Sequence, residues 1–128
     1  MRAGQFPLLQ PLPLPVISVG RDLRLLADRQ HALDDDGIPA RTMLPQDAER
    51  LAHDDRPRVW IFCASIELST MIYLACAIRR NSPGSHLLLI ERGESAGVER
   101  SLFHQVIGRE SRLDQLTAAV RRYLSVGC

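Results

Sequence analysis

Five residues near the middle of the chain, Val59-Trp60-Ile61-Phe62-Cys63, restrict the fold more than any other feature. A strand with one wet face alternates apolar and polar residues, because successive side chains point to opposite faces. This run is apolar on both faces, so it needs cover on both sides. Crossover helices supply such cover in a parallel sheet. The run therefore predicts a central strand of a parallel sheet, with helices above and below.

The flanking sequence repeats the theme. Val16-Ile17-Ser18-Val19, closed by Gly20, reads as a buried strand. Leu23, Leu25, Leu26, Ala32 and Leu33 then recur at helical spacing, with Asp22 as N-cap and Gly37 as the stop. Residues 38–43 read as an edge strand, since Pro39 cannot donate to a ladder. Pro45 opens a helix carrying Ala48, Leu51 and Ala52. After the central strand, Ser65 is expected to cap a helix that ends in Arg79-Arg80. His86 to Ile90 is a fourth strand and Gln105 to Ile107 a short fifth. Between them there is room for about three helical turns at most, at 95–103. Ser111 to Asp114 resembles a capping box for a last helix with Leu113, Leu116, Val120 and Leu124 on its apolar stripe.

Alternating strands and helices with short connections imply right-handed crossovers and a doubly wound, five-stranded parallel sheet. The expected organisation is a Pro-rich arm at 1–15, one α/β domain at 16–124 and a tail at 125–128. Length agrees with one domain: 128 residues, 45% of them hydrophobic, suffice for a continuous core. A net charge of +1 argues against a strong electrostatic hold on nucleic acid or acidic membranes. All 16 basic residues are Arg, which excludes any lysine-dependent mechanism. Cys63, Cys76 and Cys128 lack framework spacing, which fits a reducing, cytoplasmic setting. No stretch is long enough to span a membrane.

With five βα units over residues 16–124, the chain resembles the receiver domains of response regulators. The resemblance rests on element order, on the segment Pro57 to Cys63 and on the tail Ser111 to Leu124. It implies a flavodoxin-like, three-layer α/β/α fold. It also implies a phosphotransfer constellation: an acid pair after the first strand, an acceptor Asp ending the third, a hydroxyl ending the fourth and a Lys ending the fifth. Metal and Lys there neutralise the transferring group. In this sequence those positions fall on Gly20 and Arg21 with Asp22 nearby, then on Cys63, Glu91, and Gly108 beside Arg109. None carries the required chemistry, so no Mg²⁺-dependent aspartyl phosphorylation is expected.

Other residues offer less. His31, His53, His86 and His104 have no metal-ligand spacing, and no metal or cofactor is expected. Gly20 begins no dinucleotide fingerprint. Asp34-Asp35-Asp36 reads as a solvated turn beyond a helix end, and Cys76 as core. Cys63 has two readings: a small residue plugging a vestigial pocket, or a thiol whose pKa Arg21, Arg109 or a helix N-terminus lowers. Together these features predict a non-enzymatic signalling domain that acts by protein association, as a homodimer or with another signalling protein. Its interface is expected to include Leu113, Leu116, Val120 and Tyr123. The alternative is a small-ligand or thiol-redox sensor built around Cys63, Asp22 and Glu91.

Overall fold

The computed structural model describes residues 16–52, 57–63, 65–90, 102–107 and 113–125. Along the chain come β1 (Val16–Val19), α1 (Leu23–Asp35), β2 (Ala40–Met43), α2 (Pro45–Leu51) and β3 (Val59–Cys63). They are followed by α3 (Leu68–Asn81), β4 (His86–Ile90), β5 (Gln105–Ile107) and α4 (Leu113–Ser125). The strands form one sheet in the order β2-β1-β3-β4-β5, and every pairing is parallel. The apolar run 59–63 is its central strand and is buried throughout. The segment expected as a helix at 95–103 lies outside the described residues, apart from Leu102 and Phe103. So do the arm at 1–15 and the tail from 126; α4 takes in Ser125.

Side-chain alternation sorts the core into two layers. Ile17, Val19, Trp60, Phe62, Leu87 and Leu89 face α2 and α3, where Ala48, Met71, Leu74, Ala75 and Ile78 meet them. Val16, Val59, Ile61 and Leu88 face α1 and α4, against Leu33, Leu116, Ala119 and Val120. Trp60 meets Phe62 edge-on at 6.4 Å between ring centroids, and Phe62 meets Phe103 at 5.8 Å. Such pairs add about 0.5–1.5 kcal/mol beyond the area they bury.

Several helix ends follow local chemistry. Asp22 caps α1, its Oδ1 accepting from the backbone N–H groups of Arg24 and Leu25 at 3.2 Å each. Gly37 follows the helix end at φ 76°, a backbone setting that favours glycine. Pro45 sits in the first turn of α2. Ser65, however, does not cap α3. Its Oγ accepts from the backbone N–H of Arg21 at 3.0 Å, so the hydroxyl is engaged across the sheet end. The helix starts at Leu68, with Glu67 at the cap position and no side-chain cap.

Further expectations are corrected. Asp34 and Asp35 lie within the last turn of α1 rather than beyond it. Asp36 is the residue past the end, and it pairs with Arg121 of α4 at 2.7 Å. Leu23 is 68% exposed; the buried stripe of α1 is Leu26, Arg29 and Leu33. Cys76 is half-buried rather than core.

The three-residue β5 is fastened through His104. Its backbone N–H donates to the Leu87 carbonyl at 2.8 Å, and its Nδ1 accepts from the Leu87 N–H at 2.9 Å. That nitrogen must carry a free lone pair. Burial, then the charges of His86 and Arg79, hold the His104 imidazole below its ordinary value. Burial and Arg58 do the same for His86, whose ring meets His104 edge-on and Tyr123 at a tilt, each with centroids 4.8 Å apart. With the folded pKa depressed, the unfolded chain binds protons more readily. Stability is then whole above about pH 6.5 and falls as pH drops through that value toward the folded pKa. Urea midpoints are expected to decline from about pH 7 to pH 5. The decline should be shallower in His104→Ala; an equal slope in both proteins would refute the assignment.

Candidate functional site

Open parallel α/β sheets bind ligands beyond the carboxyl ends of their strands. Here that edge is built by Gly20, Arg21 and Asp22 after β1, Cys63 ending β3 and Ile90 ending β4. Register sets Val19 beside Phe62 and Cys63 beside Ile90. Gly20 comes in close. A Cβ built on it would stand 2.9 Å from Cys63 Cβ, 3.3 Å from Leu26 Cδ2 and 3.4 Å from Ser65 Oγ. Glycine is what lets these strand ends approach.

The loop after β1 is strapped to the one after β3. Besides the Arg21 amide on Ser65, the Arg21 Nε donates to Glu67 Oε1 at 2.9 Å. The Glu67 backbone amide and Arg21 hold that carboxyl below the ordinary glutamate value. Both side chains are largely exposed, so the ion pair contributes little stability. It does fix Arg21 sideways, away from a role beside the thiol. Asp22 is likewise committed, as the α1 cap. Glu91, Gly108 and Arg109 lie outside the described residues. Among the described residues, Cys63 is met by Gly20, Ser65 and Arg29.

Arg29 was not among the residues singled out from sequence. It is only 7% exposed and lies on the buried stripe of α1. Its Nη1 has no hydrogen-bond partner among the described residues. The signal for it was legible: it falls three residues after Leu26 and four before Leu33, so an arginine occupies a core phase of the helix. Cys63 is 3% exposed. Burial, the largest single influence, pushes its thiol pKa up. The side chains of Ser65 and Arg29, the Ser65 backbone amide and the charge of Arg29 together outweigh burial, and the thiol lies below its ordinary value. Among the described residues, Arg29 and not Arg21 is the cation that acts on Cys63. Among the described residues no group of three or more His, Cys, Asp or Glu is placed to hold a metal ion.

No protein-family model matches the chain, and no curated protein matches it by sequence. Solved structures do match. A response regulator from Desulfuromonas acetoxidans superposes with a TM-score of 0.71 at 19% identity, covering 88% of this chain and 98% of that one. A CheY-like response regulator receiver domain from Methanospirillum hungatei JF-1 gives 0.72 at 13% identity, covering 85% and 91%. The fold is the receiver fold. The adenylate cyclase from Rhodopirellula baltica also superposes, with a TM-score of 0.73 at 16% identity and 88% coverage of each chain. At such identities the likeness concerns architecture and carries no chemistry with it.

The residues expected at an interface divide between the surface and the core of α4. Leu113 is exposed, and Tyr123 is half-buried with its hydroxyl donating to the His104 carbonyl at 3.4 Å. Leu116 and Val120 are core residues packed under β3 and β4, because they fall on the inward stripe of α4. They are removed from the candidate interface. What the surface offers instead is an open groove of about 470 Å³ lined by Gln105, Gln115, Ala118, Ala119 and Arg122. No described helix is long and apolar enough to cross a membrane.

Proposed function

We propose that this domain is a cytoplasmic, non-enzymatic signalling module of receiver fold that transmits by association with another protein and not by phosphotransfer. One observation carries the reading: the residue closing the central strand is Cys63, a thiol, where a receiver-type site requires an acceptor carboxylate. Its surroundings agree. A buried guanidinium lies beside it, Asp22 is committed to capping α1, and the chain has no lysine to neutralise a phosphoryl group. The β5–α4 groove, apolar at Ala118 and Ala119 and polar at its rim, is the surface proposed for the partner, a second copy or another signalling protein.

Beryllofluoride with Mg²⁺, a phosphoryl mimic, tests the first half. The amide spectrum is expected to stay unmoved. Saturable shifts at Gly20, Arg21, Asp22 and Cys63 would overturn the loss of phosphotransfer. Light scattering on the same sample tests the second half. A mass above that of one chain that falls on Ala118→Glu supports the groove. A monomer that also retains no partner when isolated from its native extract refutes association.

A further inference from the structure

The feature that association leaves unused is the buried pair of Arg29 and Cys63. A guanidinium taken out of water is costly unless an anion or several hydrogen bonds replace the lost hydration. Arg29 is 93% buried by its 7% exposure, and its Nη1 lacks a partner among the described residues. Strand alternation places the Cys63 side chain with Val59 and Ile61, on the α1 side of the sheet. Arg29 approaches from α1 on that same side, and its charge acts on the thiol. Among the described residues, the anion within reach of this cation is the Cys63 thiolate, with the Ser65 hydroxyl as a further neighbour.

We propose that Cys63 is a modification site, oxidised to the sulfenic acid by a small hydroperoxide, with Arg29 as its fixed counter-cation. The thiolate sulfur attacks one peroxide oxygen; the S–O bond forms as the O–O bond breaks. Sulfur gives up two electrons, and the departing hydroxide (alkoxide, for an organic hydroperoxide) takes a proton from water. Thiolate character makes such a cysteine selectively reactive. The 3% exposure of Cys63 restricts the reagent to a small one. Cys76 lies on α3, across the sheet, so it is not placed to resolve the product as a disulfide. The sulfenic acid forms beside Gly20 and Ser65, at the junction that Arg21 straps, with no second thiol among the described residues placed to resolve it. This inference concerns an input to the domain and does not depend on how the domain associates.

The test uses the full chain carrying Cys76→Ser and Cys128→Ser, so that Cys63 is its one thiol. Hydrogen peroxide is added with dimedone as the trap, and the adduct is followed by intact mass. The folded protein is expected to form the adduct faster than the same chain unfolded in urea. Arg29→Met, which keeps an unbranched apolar stem and removes the charge, is expected to slow it roughly three- to tenfold for each unit by which the thiol pKa rises, since a more basic sulfur is also more nucleophilic. Arg21→Met, whose charge is directed to Glu67, should leave the rate unchanged. A folded protein slower than its unfolded chain refutes the proposal, whatever becomes of the variants. So does an undiminished rate in an Arg29→Met protein that circular dichroism shows to be folded. Light scattering in the absence of peroxide reads association separately.

Discussion

Replacing Phe62 by alanine is expected to destabilise the domain by about 3–5 kcal/mol, read from urea denaturation at neutral pH. The side chain is 0% exposed on the central strand. It is the middle ring of an edge-to-face series, with Trp60 at 6.4 Å and Phe103 at 5.8 Å. Truncation removes the transfer free energy of a benzyl group and opens a hole between the sheet and α3. The walls of that hole are strand residues whose backbones cannot close in. Domains of this size hold only about 5–15 kcal/mol in total, so most of the variant's margin would be gone. Phe62→Leu, which keeps most of the volume, should lose less than about 2 kcal/mol. Leu23→Ala, at a 68% exposed position on α1, should stay within about 0.5 kcal/mol. A Phe62→Ala loss no larger than that of Leu23→Ala would mean that the strand is not central.

The comparison of Phe62 with Leu23 also marks what sequence could reveal. The 59–63 run was legible because an apolar strand without alternation has few other places to go. The same holds for Asp22, Gly37 and Pro45, whose roles depend on neighbours one helical turn away. The phase of α1 was less legible. The expected set of Leu23, Leu25, Leu26, Ala32 and Leu33 spread over more than one face, and of it Leu26 and Leu33 turn inward, with Arg29 between them. A leucine at a helix entry is tolerated in water, so its presence fixes the phase poorly. Misreading that phase concealed Arg29. Ser65 illustrates a different limit. Its hydroxyl could satisfy its own helix or the amide of Arg21, forty-four residues away, and it takes the latter. Only the approach of β1 to β3 decides that choice. Leu116 and Val120 were rightly seen as apolar at helical spacing, but α4 needed the whole stripe to cover β3 and β4.

That same approach of β1 to β3 supplies a second large effect. Gly20→Ala is expected to destabilise the protein by about 1–3 kcal/mol, the usual result of adding an atom to a filled space. The cause is contact and not backbone strain, since Gly20 does not have a positive φ. The new Cβ would stand 2.9 Å from Cys63 Cβ, an atom fixed to the backbone of the central strand that no rotamer change can move. Leu26 Cδ2, at 3.3 Å, can shift by rotating. Ser65 Oγ, at 3.4 Å, can turn away only by giving up the Arg21 amide. Cys63→Ala should not rescue the variant, because it keeps the offending atom. Cys63→Gly removes that atom, though glycine in a strand is itself unfavourable by roughly 0.5–1 kcal/mol. The double variant Gly20→Ala, Cys63→Gly should therefore lose clearly less than the sum of its parts, with a coupling in the range of about 0.5–3 kcal/mol found for residues in contact. Strict additivity in urea denaturation would show that the strand ends can separate freely. Coupling would show that they are held closed, with Cys63 and Gly20 filling the edge where a receiver-type site would need room for a cation and a phosphoryl group. It would also place any group added to the Cys63 sulfur against the loop that carries Arg21, so that oxidation there is felt first in β1 and at the Arg21–Glu67 bridge.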